Sequence, residues 1–115
     1  MSIQGSQIVF DGVEASAALR DSIEQSLNAL HEHAPQLRSC RVVVAAPHRH
    51  QHKGRRYRVV LDAAFASHVL VVDGSGNDDP RHDDPYIAVR DAFAALRRRI
   101  DSVVGAERGR SPHDP

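Results

Sequence analysis

Seven basic side chains, Arg38, Arg41, Arg49, Lys53, Arg55, Arg56 and Arg58, lie between His33 and Asp62, a stretch that holds no acidic residue. Three histidines, His48, His50 and His52, are interleaved with them. The whole chain carries 15 Lys+Arg against 15 Asp+Glu and has zero formal net charge. The positive charge is therefore segregated and is not a general basic background. Segregated cations on a small domain are the footprint of a polyanion binder, and phosphate backbone is the commonest polyanion. Each arginine or lysine in such a patch can neutralise one phosphate and release counterions, so binding would weaken steeply with salt. The plainer reading is a solvated polar hairpin, because edge strands carry charge to resist aggregation. The absence of a balancing acid along the run favours binding.

The three histidines alternate, and alternate residues of an extended chain share a face, so a metal site is conceivable. A structural zinc site usually wants four ligands with spaced cysteines, whereas this chain has a single cysteine, Cys40. The histidines read better as pH-tunable members of the basic patch, and no metal or other cofactor is expected. A second cationic stretch is Arg97, Arg98 and Arg99, with Arg90 one heptad before Arg97. Alone it reads as a solvated helix face with Asp91 and Asp101 nearby. Beside the first patch it becomes a possible second wall of one groove. Catalytic signals are thin. Asp83 and Asp84 are adjacent and are not spaced as an acid–base pair, nothing resembles a nucleophile elbow, and no enzyme activity or small-molecule substrate is expected.

The elements that must position these residues follow from periodicity. Residues 7–10 form a short apolar run ended by Asp11-Gly12, a strand followed by a turn. Leu19, Ile23, Leu27 and Leu30 fall on one helical face, from a start near Glu14 or Ser16 to a stop at Pro35. Residues 40–46 read as a second strand. From Arg56 the chain alternates: Tyr57, Val59, Leu61, Ala63 and Phe65 face one way, with Arg56, Arg58 and Asp62 opposite. This strand and residues 68–73 are expected to pair as a hairpin across Ala66-Ser67. Residues 74–85 read as a flexible, acidic loop. Asp83 or Asp84 can cap a second helix with Pro85 in its first turn. Tyr86, Val89, Phe93, Leu96, Ile100 and Val103 form its apolar stripe. Gly105 is the expected stop, and residues 106–115 are expected to be a disordered tail.

The order β-α-β-β-β-α predicts an α+β two-layer sandwich, a four-stranded sheet with two helices on one face. Its 115 residues suit one domain, here residues 1–105, with a modest core. A lone cysteine fits a reducing cytoplasm. Residues 1–10 show no basic segment followed by a long apolar run, so no signal peptide is expected. No stretch approaches the ~20 apolar residues of a membrane span, so no membrane role is expected.

Taken together, these residues resemble short ribosome hibernation-promoting factors of the ribosome-associated inhibitor (sigma-54 modulation) family, from about residue 3 to residue 104. The resemblance lies in Glu14-Ala-Ser-Ala-Ala-Leu-Arg20 with Ile23, Leu27 and Leu30, and in the His- and Arg-rich residues 48–59. It lies also in Asp84-Pro-Tyr-Ile-Ala-Val89 followed by Leu96-Arg-Arg-Arg-Ile100. It implies a fold like that of the double-stranded-RNA-binding domain. It also implies a cytoplasmic, non-enzymatic translation inhibitor that occupies the mRNA/tRNA channel of the small ribosomal subunit in stress or stationary phase, with the subunit and its rRNA as partner. Tyr86 and Arg98 fall where the family's second helix has its tyrosine and arginine. Ala95 stands in place of a lysine, Ser26 and Ala29 replace frequent basic residues, and the acidic loop 78–84 is long. The arginines at 90, 97 and 99 are expected to compensate. Long members carry a second domain that pairs ribosomes; this chain lacks it and is not expected to dimerise ribosomes alone. The expected RNA contacts are then His48, Arg49, His50, His52, Lys53, Arg55, Arg56 and Arg58 from the hairpin. Tyr86, Arg90, Arg97, Arg98 and Arg99 are those of the second helix. The alternatives are a module for other structured RNA and a histidine-dependent metal protein.

Overall fold

The computed structural model describes residues 6–46, 57–74 and 80–109. The first strand, β1 (Gln7–Asp11), ends at Gly12, whose φ of +70° is a conformation that glycine adopts without strain. Helix α1 (Ala17–His33) starts at Ser16, whose Oγ accepts the Leu19 N–H at 3.1 Å. This bond satisfies one of the donors that a helix start leaves unpaired. Leu19, Ile23, Leu27 and Leu30 are its buried face, as their spacing predicts.

Strand β2 (Leu37–Ala45) begins three residues earlier than its β-branched run suggests. Leu37 and Cys40 both point into the core, although an odd spacing should put them on opposite faces. A register shift between Leu37 and Ser39, where β2 pairs with β3, accounts for this. Such a bulge adds a residue and flips the alternation, so a strict period of two misses Leu37. Strands β3 (Arg58–Phe65) and β4 (His68–Asp73) follow the expected alternation and close over a two-residue turn at Ala66-Ser67. Ala66 has φ +54° there.

The sheet order is β1-β2-β3-β4. The α1 crossover makes β1 parallel to β2, and the other two pairings are antiparallel. One sheet face supplies Val42, Val44, Val59, Leu61, Ala63, Phe65 and Leu70 to a continuous core with both helices. On the other face Val69 and Val71 remain 69 % and 45 % exposed, so no helix covers it. This is the expected two-layer α+β sandwich.

A one-turn 3-10 helix (Pro80–Asp83) leads into α2 (Pro85–Gly109). The second half of the expected loop 74–85 is therefore built, while residues 75–79 lie outside the described residues. Asp84 caps α2: its Oδ1 accepts the Tyr86 N–H at 2.9 Å. Ala88, Val89, Ala92, Phe93, Leu96 and Ile100 form the buried stripe. Tyr86, expected on that stripe, is instead 41 % exposed: it lies in the first turn of α2, ahead of Ala88, the first buried residue of the helix. The helix also runs past Gly105 to Gly109. Val103 and Val104 pack on the core, and the His68 Nε2–H donates to Glu107 Oε2 at 2.8 Å. These contacts carry the helix through a glycine that by itself would favour a stop. No helix among the described residues is long and apolar enough to cross a membrane.

Candidate nucleic-acid interface

The expected hairpin contacts His48, Arg49, His50, His52, Lys53, Arg55 and Arg56 lie outside the described residues. Their root is defined by Ala46 at the end of β2 and by Tyr57 just before β3. The Tyr57 N–H donates to the His82 carbonyl at 2.9 Å, so the entry to β3 lies beside the 3-10 turn. Tyr57 packs partly buried against the core, as its alternation with Val59 and Leu61 predicts.

Arg58 is exposed on the open sheet face but is already paired. Its Nε donates to Asp73 Oδ1 at 3.1 Å and its Nη2 to Asp73 Oδ2 at 3.0 Å. This bidentate hydrogen bond, and then the charge of the carboxylate, push the Arg58 pKa up from its ordinary value. Arg41, in the same sequence patch, stands opposite Asp62 in the β2–β3 register. A run without acids in sequence thus acquires two carboxylates from neighbouring strands.

On α2 the arginines divide between two flanks. Arg90 and Arg97 are seven residues apart and share a flank with Asp101, which accepts the His33 Nε2–H of α1 at 2.7 Å. The Arg90 Nε lies 3.5 Å from Asp91 Oδ1, and no described residue pairs with Arg97. Arg98 and Arg99 turn to the flank that faces β4. The Arg99 Nη1 donates to the Val71 carbonyl at 2.8 Å. Gly74 N–H bonds Val59 O inside the β3–β4 ladder, so the odd-numbered groups of β4 point outward. Arg99 therefore caps an open edge of the sheet. Arg98 has no carboxylate partner among the described residues and lines a cleft with Tyr57, Val72, Ala95 and His82. Of the expected helix contacts, Arg90, Arg97, Arg98 and Tyr86 are surface groups within reach of a large ligand, and Arg99 is tied to β4.

Sequence reasoning missed Arg81 and His82. The His82 side chain is 7 % exposed, and its Nε2–H donates to Asp91 Oδ2 at 2.9 Å. The Arg81 guanidinium lies 3.4 Å from the same oxygen. The His82 bond, aided by the charges of Arg81 and Arg90, holds the Asp91 carboxyl below the usual carboxylate range. Only Pro80 marks this turn in the sequence. The His82–Asp91 pair has no serine, cysteine or lysine among the described residues of its cleft. Cys40 is fully buried, which pushes its thiol up to about 12. No group of three His, Cys, Asp or Glu among the described residues could hold a metal ion.

Known proteins with this arrangement share its sheet and helices. The chain superposes on the N-terminal domain of Thermus thermophilus Protein Y with a TM-score of 0.62 at 18 % identity, over 90 % of this chain and 99 % of that one. A ribosomal subunit interface protein from Coxiella burnetii gives a TM-score of 0.66 at 16 % identity, over 89 % and 99 % of the two chains. Compared by sequence with curated proteins, the chain matches none. Residues 6–105, from the entry into β1 to the last turns of α2, match the sequence profile described as Sigma 54 modulation protein / S30EA ribosomal protein, and the chain belongs to that family.

Proposed function

We propose that this protein is a ribosome-binding translation inhibitor that occupies the mRNA and tRNA channel of the small subunit during stress or stationary phase in the cytoplasm. The observation that carries this reading is the match of residues 6–105 to a ribosome-associated family, on a fold whose α2 presents Arg97 and Arg98 without described protein partners. Occupancy is the mechanism, and no bond is made or broken. The arginines of α2 and the basic stretch rooted at Tyr57 grip folded rRNA by its phosphates and shape. The domain then stands where messenger and transfer RNA would pass.

Sedimentation with small subunits and with intact ribosomes across a salt series tests this. The expected result is stoichiometric co-sedimentation that weakens with salt and survives excess duplex RNA. Loss of binding to excess duplex would instead indicate a general module for structured RNA. No co-sedimentation at low salt would overturn the ribosomal reading. In an inhibited translation extract, charge reversal at Arg55, Arg56 and Arg98 together is expected to restore synthesis while the domain stays folded.

A further inference from the structure

We propose that the cleft between the end of β4 and α2 binds a single nucleotide, with its phosphate on Arg98 and its base against the helix beside Tyr57. The inference deepens the RNA-binding reading above and rests on it for the class of ligand. The cleft has a volume of about 430 Å³, within the ~300 to 1,000 Å³ typical of small-ligand sites. Val59 and Val72 form its sheet wall, and Ala88, Ala92 and Ala95 its helix wall. The three alanines recur at helical spacing, so α2 presents a shallow apolar strip to the cleft. A flat ring can lie close to such a strip. Tyr57 and His82 flank it with rings of their own.

The charges favour one anionic group over an extended polyanion. Asp73 is paired by Arg58 at 3.0 Å, and Asp91 by His82 at 2.9 Å and Arg81 at 3.4 Å. Arg98 is left with no described carboxylate partner. It also lines a second groove of about 380 Å³, which continues along β4 past Val71 to Ser102. One phosphate at Arg98 would thus sit where the two grooves meet. A paired base inside a duplex cannot enter a cleft, whereas an unpaired base can be splayed into one. The Asp91 carboxylate, whose Oδ2 takes the His82 and Arg81 bonds, keeps an acceptor position on Oδ1 for an exocyclic amino group, which makes adenylate the probe of choice.

The test uses the full chain with three probes: adenosine monophosphate, single-stranded hexa-adenylate and a blunt RNA duplex. Backbone NMR shifts report the site, and fluorescence anisotropy of labelled RNA reports affinity. Hexa-adenylate is expected to shift the amides of Tyr57, Ala92 and Ala95. Ala95→Leu, which fills the cleft, is expected to weaken hexa-adenylate about ten-fold, the size of one lost base-stacking contact, and to leave duplex affinity unchanged. Ala94→Leu, at an exposed position on the cleft rim, guards against a folding defect and is expected to act in the same direction. Arg97→Gln, on the other flank, should weaken both RNAs alike. Shifts with the monophosphate as well would identify a free nucleotide as a sufficient ligand, and shifts with hexa-adenylate alone would identify an unpaired nucleotide within a chain. Wild-type affinity for hexa-adenylate in both folded leucine variants would overturn the proposal. If the two variants and the wild type then all co-sediment with ribosomes, the ribosomal reading stands without the cleft. If hexa-adenylate binding depends on Ala95 but nothing co-sediments, the cleft stands without the ribosome.

Discussion

Deleting the Arg58–Asp73 pair as a unit separates cations that the fold has already neutralised from those left for phosphate. In the double variant Arg58→Gln/Asp73→Asn the net charge is unchanged and a bidentate pair is lost. Both side chains are about half exposed, at 50 % and 43 %, and an ion pair so open to solvent and salt adds little to stability. The domain should therefore stay folded. One phosphate contact contributes a slope of about 0.7 to 0.9 in log affinity against log salt, or roughly three-fold between 50 and 200 mM. The pair deletion is expected to leave that slope unchanged. Arg98→Gln, which removes a cation without a described carboxylate partner, should lower the slope by about 0.7 to 0.9. Asp73→Asn alone frees Arg58 and should raise the slope by up to the same amount. The assay is ribosome or RNA binding titrated at several salt concentrations, with urea unfolding as the control for structure. If the pair deletion lowers the slope as much as Arg98→Gln does, Arg58 grips phosphate in spite of Asp73, and the argument from pairing is wrong.

Other expectations concern the scaffold. Cys40 is fully buried with its thiol pushed up to about 12, so a thiol reagent at pH 8 should leave it untouched until denaturant unfolds the chain; prompt labelling of the native protein would contradict the burial. The folded-state pKa of Asp91 is depressed, so its contribution is present above the ordinary aspartate value near ~3.9 and is lost as pH falls through the folded value. Urea midpoints measured between about pH 5 and 2.5 should fall less steeply in Asp91→Asn than in the wild type. Ala66 has φ +54° at the first residue of a two-residue hairpin turn. Since an L side chain is strained there and glycine is not, Ala66→Gly should stabilise the domain by up to about 1 kcal/mol and raise its melting temperature by a few degrees.

The parts of this fold that were legible in the sequence are those set by local periodicity. The alternation from Tyr57 to Phe65 and the spacing of Leu19, Ile23, Leu27 and Leu30 each name a buried face that the structure confirms. The same local logic fails where a non-local contact decides. The bulge beside Leu37 breaks the period of two and extends β2. Packing of Val103 and Val104, with Glu107 reaching His68, carries α2 through Gly105. His82 is buried because Asp91, nine residues later and on another element, gives its ring a partner. The basic patch shows the limit most clearly. Charge segregated along a chain is not charge segregated in space, because a sheet brings Asp62 opposite Arg41 and Asp73 onto Arg58.

The acids of α2 are treated differently, and this gives the helix its outward polarity. Asp91, Asp101 and Glu107 each accept a hydrogen bond from a histidine on another element: His82 of the 3-10 turn, His33 of α1 and His68 of β4. Each carboxylate is thus tied to a neighbouring element, Asp91 at a half-buried seam and Asp101 and Glu107 at the surface. The same bonds fasten the helix near its start, beyond its middle and near its end, so the arginines between them are held on a fixed rail. Arg97 and Arg98, consecutive and therefore about 100° apart around the helix, project from that rail on two flanks, and neither is ion-paired to a described carboxylate. A helix that is a mixed run of acids and bases in sequence in this way keeps its acids in bonds to His33, His68 and His82, and leaves Arg97 and Arg98 without a described ion-pair partner.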